Sequence, residues 1–81
     1  MTEAEILDRI ATVAREKLDL EIELKQDMRL VEDLALDSIR LLTLAMEVED
    51  RFRICLDEED EEGIETVADL VELVGRKLAA A

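Results

Sequence analysis

The stretch DLALDSI, from Asp33 to Ile39, places a serine directly behind an aspartate. A nucleophilic serine needs a neighbouring base such as histidine or lysine. The chain contains no histidine, and its only lysines, Lys17, Lys25 and Lys77, are distant from Ser38 in sequence. The nucleophile-elbow pattern G-x-S-x-G is also absent. We therefore expect Ser38 to perform no chemistry itself, and we propose that it is instead a point of covalent attachment.

Metal chemistry is poorly supported by the residue types. The acidic run from Asp57 suggests a calcium loop, but such a loop needs glycine at its sixth position and glutamate at its twelfth. These positions are Glu62 and Ala68. A single cysteine, Cys55, with no histidine excludes the usual zinc sites. Diffuse binding of cations to the acidic surface remains possible, and we predict no specific metal site.

The charge balance restricts the class of partner. The chain has 81 residues, with 23 acidic and 10 basic side chains and a net charge of −13. Nucleic acids and anionic membranes attract basic surfaces, so neither is an expected partner. A protein partner should present a basic surface, although simple solubility would also explain the charge. We find no signal peptide and no long apolar span, and expect a cytoplasmic monomer without membrane insertion.

Composition and periodicity predict one all-helical domain over residues 1–81. Proline is absent, glycine occurs twice, and Phe52 is the only aromatic residue, which disfavours a turn-rich β domain. Thr2 and Glu5 form a capping-box pattern before a first helix. Thr66 and Asp69 repeat that pattern before a last helix at about 67–79.

The connection between residues 19 and 37 is long for a compact domain. Alternating apolar residues within it, and again between Phe52 and Leu56, have the period of a strand. A two-stranded ribbon would be marginal in water, so we favour extended loop segments that place side chains in the core. The expected anchors are Leu20, Ile22, Leu24, Met28, Leu30, Leu34 and Leu36.

The segment 38–53 has two apolar stripes when it is drawn as a helix. At about 100° per residue, the core stripe consists of Leu41, Leu44, Ala45, Val48 and Phe52. A second stripe lies on nearly the opposite side and consists of Ile39, Leu42 and Met46, with Glu47, Glu49 and Asp50 on or beside it. A bundle helix needs only one stripe, so the second predicts either a docking face or a helix that is buried all round.

Asp37 is a favourable N-cap for this helix, which puts Ser38 on the first turn. A phosphate attached to Ser38 would then lie at the positive end of the helix dipole. The simpler alternative is that both residues only cap the helix.

These motifs together resemble the acyl carrier proteins. EDLALDSI, LLTLAMEVEDRF, ICLDEED and TVADLVELV follow one another in the order typical of that family, over roughly residues 3–78. The resemblance implies a four-helix bundle with a long first loop and a short third helix at about 57–63, and a free-standing carrier that is not an enzyme. It implies that a phosphopantetheinyl transferase attaches 4′-phosphopantetheine from coenzyme A to Ser38, within a motif that includes Asp37 and Ile39. The arm would carry acyl groups as thioesters.

The resemblance also assigns the second stripe to partner recognition. The residues expected to contact basic docking patches of acyl-transferring and synthase enzymes are Ile39, Leu42, Met46, Glu47, Glu49 and Asp50. We further expect an acyl chain to be sheltered among Leu44, Ala45, Val48, Phe52, Ile64, Val67 and Leu70, because aliphatic side chains repack easily.

Several residues depart from the pattern of fatty-acid carriers: Ala35, Arg40, Thr43, Cys55 and Leu56. A positive charge on Arg40 beside the attachment point would repel a basic partner, unless Arg40 pairs with an acid such as Glu47. We therefore expect a carrier for specialised or polyketide acyl groups at least as readily as one for fatty-acid synthesis. An aminoacyl or peptidyl carrier, an acidic adaptor with unmodified Ser38, and a carrier-like fold without enzymes remain alternatives.

Overall fold

The chain folds into four helices, and the computed structural model describes residues 1–80. They are α1 (Glu3–Leu18), α2 (Ser38–Phe52), α3 (Glu58–Glu62) and α4 (Val67–Ala80). α1 packs against both α2 and α4. Within the described residues there is no strand, only an isolated bridge between Arg29 and Thr66. The predicted all-α bundle with a long first loop and a short third helix is confirmed.

Local capping signals define the ends of α1 and the start of α4. The Thr2 hydroxyl accepts from the Glu5 amide at 3.2 Å, and the Glu5 carboxylate accepts from the Thr2 amide at 3.3 Å. Asp69 and Thr66 exchange the equivalent bonds at 3.0 and 3.1 Å. These pairs satisfy amide groups that have no partner inside the helix, and both predicted caps are confirmed. α1 ends where Asp19 adopts a left-handed conformation.

The long connection from residue 19 to residue 37 is anchored by buried side chains, as predicted, but residues 30–34 form turns where extended backbone was expected. Its buried side chains are Leu24, Leu30, Leu34 and Leu36. Backbone bonds also tie it to the start of α4, since Leu30 donates to Glu65 at 3.0 Å and Val67 donates to Met28 at 2.9 Å. The prediction that Ile22 is a core anchor is wrong, because this side chain is 48% exposed.

The core is aliphatic apart from Phe52 and includes no buried charged or polar side chain among the described residues. α2 contributes Leu44, Ala45, Val48 and Phe52 as buried residues, with Leu41 partly buried, so its predicted core stripe is confirmed. None of the helices within residues 1–80 is both long and apolar enough to cross a bilayer.

Candidate functional site

Ser38 is the first residue of α2 and its side chain is exposed. The carboxylate of Asp37 accepts a hydrogen bond from the Arg40 amide at 2.8 Å, which makes Asp37 the N-cap as predicted. This bond turns the carboxylate toward the helix backbone, and no histidine exists to act as a base. The serine is therefore presented to solvent at the positive end of a helix, in a setting suited to holding a phosphate.

No cluster of side chains in the described part of the chain is suited to a metal ion. Over residues 1–80, the cysteine and the acidic side chains form no group of three that could hold one. The acids of α3 lie on a short helix, and none of its residues is buried. Their high local charge makes them a surface feature.

An open cleft of about 420 Å³ begins at Ser38 and lies between α2, α3 and the start of α4. Its apolar lining consists of Leu30, Leu41, Leu42, Leu44, Ala45, Ile64 and Leu70, and its acidic rim consists of Glu58, Glu61 and Glu62. Four of the residues expected to shelter an acyl chain line this cleft: Leu44, Ala45, Ile64 and Leu70. Val48, Phe52 and Val67 are buried and do not line the cleft, so their part in sheltering an acyl chain stays a prediction.

Polar contacts hold α3 over this cleft, since the helix buries no side chain of its own. Asp57 caps it through the Asp60 amide at 2.8 Å, and Asp60 forms an ion pair with Lys77 of α4 at 2.8 Å. The hydrogen bond from Lys77, with a second from the Asp57 amide, lowers the pKa of Asp60. The same bond to Asp60 raises the pKa of Lys77. α3 is thus the least deeply anchored wall of the cleft.

The second stripe of α2 is open to solvent. Ile39 is 76% exposed, Leu42 is 51% exposed and Met46 is 60% exposed. Asp50 is also exposed, while Glu47 and Glu49 are half-buried. Large apolar side chains grouped on one surface, with acids beside them, are typical of a docking face. The alternative of a helix that is buried all round is wrong.

The two arginines of α2 face α1 and not the exposed stripe. The guanidinium of Arg40 donates to the carbonyl of Leu18, the last residue of α1, and Arg51 forms an ion pair with Glu16 at 3.6 Å. With Ile39 at zero, both arginines lie at about 100–120° around the helix. The alternative in which Arg40 pairs with Glu47 is wrong. The sequence did not lead us to the Leu18 carbonyl as the acceptor of Arg40, although the last carbonyls of any helix need hydrogen-bond donors.

Comparison with known proteins identifies the family. The sequence profile described as "Phosphopantetheine attachment site" matches residues 8–74. An acyl carrier protein from Thermotoga maritima is 35% identical over 75 residues, covering 91% of this chain and 93% of the relative. The chain belongs to the acyl carrier protein family. A relative from Prochlorococcus marinus, also an acyl carrier protein, is 36% identical over 78 residues, covering 95% of this chain and 98% of that protein.

Solved structures of the family share the fold. The crystal structure of an acyl carrier protein from Thermotoga maritima superposes with a TM-score of 0.86 at 29% identity, covering 96% of this chain and 92% of that one. The acyl carrier protein from Enterococcus faecalis gives 0.75 at 31% identity, covering 95% and 99%.

Family membership establishes the general role of the chain. It is a carrier and not an enzyme, and its cofactor is covalently attached 4′-phosphopantetheine. It interacts with a phosphopantetheinyl transferase and with enzymes that handle acyl groups. The residues present fit that cofactor, because an exposed hydroxyl stands at a helix N-terminus beside an apolar cleft.

Proposed function

We propose that Ser38 is the residue that carries 4′-phosphopantetheine, within a single carrier domain that spans residues 1–81. The observation that supports this most strongly is the position of the Ser38 hydroxyl, exposed on the first turn of α2 and at the mouth of the apolar cleft. Ser38 is also the only serine in the chain. Ala81 lies outside the described residues.

The attachment requires little of the chain itself. The Ser38 oxygen forms a bond to the phosphorus of coenzyme A that bears the pantetheine, the phosphoanhydride bond breaks, and 3′,5′-adenosine diphosphate leaves. The transferase takes the proton from the hydroxyl, so Ser38 needs only to be reachable. Asp37 fixes the first turn through the Arg40 amide, and the helix dipole favours the phosphodiester charge. The terminal thiol of the bound group supplies the site for thioester chemistry.

The exposed stripe of α2 is the proposed docking face for partner enzymes. Ile39, Leu42 and Met46 offer apolar area directly beside Ser38. Glu47, Glu49 and Asp50 add negative charge along it, which favours partners with basic patches and speeds their approach. Asp37 and Ile39 flank the attachment residue, so we assign them to the motif that the transferase recognises.

The cleft behind Ser38 is the proposed shelter for the acyl chain. The apolar part of its lining is aliphatic, and no aromatic side chain is part of it. Because α3 is held mainly by polar contacts, it is the wall that can move outward when a longer chain enters. Withdrawal of the chain from water would stabilise the loaded carrier.

The position of Arg40 bears on the pathway. Its guanidinium is bound at the C-terminal end of α1, where helix carbonyls stabilise a positive charge. The charge therefore lies beside the docking face and not on it, which weakens the argument that Arg40 repels enzymes of fatty-acid synthesis. We propose a monomeric acyl carrier of the cytoplasm, where coenzyme A and such enzymes occur, serving fatty-acid or specialised acyl synthesis. The charge of −13 opposes self-association.

Intact-mass spectrometry tests the assignment of Ser38. The chain is incubated with coenzyme A, magnesium and a broad-specificity phosphopantetheinyl transferase. Wild type should gain one phosphopantetheine group and Ser38→Ala none. Thr43→Ala is the matched control, because Thr43 carries a hydroxyl on the same helix that donates to the Ile39 carbonyl at 3.0 Å. Labelling of Ser38→Ala would disprove the assignment, and no labelling of wild type would favour an adaptor or a fold without its enzymes.

A further inference from the structure

A second cleft lies on the outer side of α1, away from Ser38. The turned-back segment 20–24 runs beside the helix and forms an open groove of about 700 Å³ with it. The lining residues are Ala4, Leu7, Asp8, Ala11, Arg15, Leu20, Glu21, Ile22, Glu23 and Leu24. We call this the α1 groove. It shares no lining residue with the cleft at Ser38 or with the exposed stripe of α2.

The α1 groove is preformed. Leu24 is buried in the core, and the Leu20 amide donates to the Ala14 carbonyl at 3.2 Å, so both ends of the segment are fixed. Between these anchors Ile22 remains 48% exposed. An apolar side chain presented by a fixed backbone binds a partner without a large ordering cost.

The dimensions of the groove suit a short helix. The lining residues of α1 extend from Ala4 to Arg15, which at 1.5 Å per residue is roughly 16 Å. Three turns of a helix at about 5.4 Å each have the same length. The floor alternates small and large side chains, Ala4, Leu7 and Ala11, which allows another helix to approach closely.

The charges of the groove select a basic occupant. Asp8, Glu21 and Glu23 line it against a single cation, Arg15. A second copy of the chain would bring another 13 excess negative charges, so self-association through this surface is disfavoured. Anionic lipids and nucleic acids are disfavoured for the same reason.

We propose that the α1 groove docks a basic amphipathic helix of a protein partner, at a site separate from the α2 face. Apolar residues of that helix would pack on Leu7, Ala11 and Ile22, and its basic residues would meet the carboxylates at the edges. A partner held here leaves Ser38 and the exposed stripe free, so one enzyme could stay attached while others use the arm. The contact area is small, and binding should be weak and sensitive to salt.

The experiment titrates the ¹⁵N-labelled holo protein with a synthetic 14-residue helix of leucine and lysine, designed with one apolar face. Backbone amides of the outer side of α1 and of residues 20–24 should shift in a saturable manner, and weakly in 0.5 M sodium chloride. Ile22→Glu changes an exposed position and should lower the affinity for the peptide, as fitted from the shifts of these amides, at least tenfold. Glu23→Lys should lower it by charge alone, without apolar change.

Matched controls separate this surface from the α2 face, which the same peptide can also contact. Met46→Glu should remove shifts on α2 and leave those in the groove unchanged. Ile22→Glu should leave phosphopantetheine attachment to Ser38 unchanged. A negative result for the α1 groove can therefore be told apart from a wrong assignment of Ser38. Shifts confined to α2, equal binding of a leucine–glutamate peptide, or groove shifts that appear with protein concentration alone would each overturn the proposal.

Discussion

Loading of an acyl chain should stabilise the fold by an amount that the cleft at Ser38 determines. An octanoyl group exceeds an acetyl group by about six methylenes, each worth about 0.8 kcal/mol when fully removed from water, or about 5 kcal/mol in total. The cleft of about 420 Å³ has ample room but is open on one side. We expect roughly half of that, about 2–3 kcal/mol, which in a domain of this size raises the melting temperature by about 10–20 °C.

The assay compares octanoyl and acetyl forms of wild type and of Ala45→Leu by thermal and urea denaturation. Ala45 lines the cleft, so the larger side chain should occupy acyl space and shrink the octanoyl gain at least by half. Ala79→Leu, at an exposed position of α4, is the matched control and should keep the full gain. Because each gain is a difference within one variant, any cost of overpacking cancels. Equal gains in Ala45→Leu and wild type, or no gain in either, would refute the shelter.

Three further predictions address backbone, charge and pH. Ala35 has a left-handed backbone with φ of 54°, so Ala35→Gly should raise the free energy of unfolding, measured in urea, by about 0.5–1 kcal/mol. Ala4→Gly within α1 is the control and should lower that free energy. A lower free energy of unfolding for Ala35→Gly would contradict the idea that Ala35 is strained. Arg40→Gln should lower the free energy of unfolding by about 1–2 kcal/mol, because the hydrogen bond to the Leu18 carbonyl of α1 is lost. The rate of malonyl transfer to the holo protein by a housekeeping transacylase should stay within twofold of wild type. Faster transfer to Arg40→Gln would show that Arg40 repels partners. Hydrogen bonds from the amides of Glu65 and Thr66 lower the pKa of Asp69, so the stability that its carboxylate contributes is present above the unfolded pKa near ~3.9 and disappears as pH falls through the lower folded value. Asp69→Ala should therefore lower the melting temperature more at pH 7 than at pH 2.5. An equal decrease at both pH values would contradict this linkage.

Local signals in the sequence were sufficient to predict most of the fold. Thr2 with Glu5, and Thr66 with Asp69, form caps that depend on residues three apart, so no tertiary information is needed. The two stripes of α2 follow from helical period alone. The predicted end at residue 53 was one residue too late, because Arg53 adopts a left-handed conformation and caps the helix.

The features that sequence reasoning missed depend on how separate elements meet. Ile22 follows the alternating pattern of a buried residue, but its segment lies at the edge of α1 and leaves that side chain outside. The acceptor of Arg40 exists only because the end of α1 approaches the start of α2. The way in which α2 packs against its neighbours likewise decides that Ala45 lines the cleft while Val48 is fully enclosed.

Peptide mapping of the protein purified from its own cells tests the central claim most directly. Trypsin cleaves after Arg29 and Arg40, which releases residues 30–40, and Ser38 is the only hydroxyl side chain in that peptide. Thr43 lies on the next peptide, so the two candidate hydroxyls are separated. We predict that tandem mass spectrometry finds phosphopantetheine, free or acylated, on the peptide 30–40 and on no other. A native protein whose peptide 30–40 is entirely unmodified, or whose modification lies on another peptide, would contradict the assignment of Ser38.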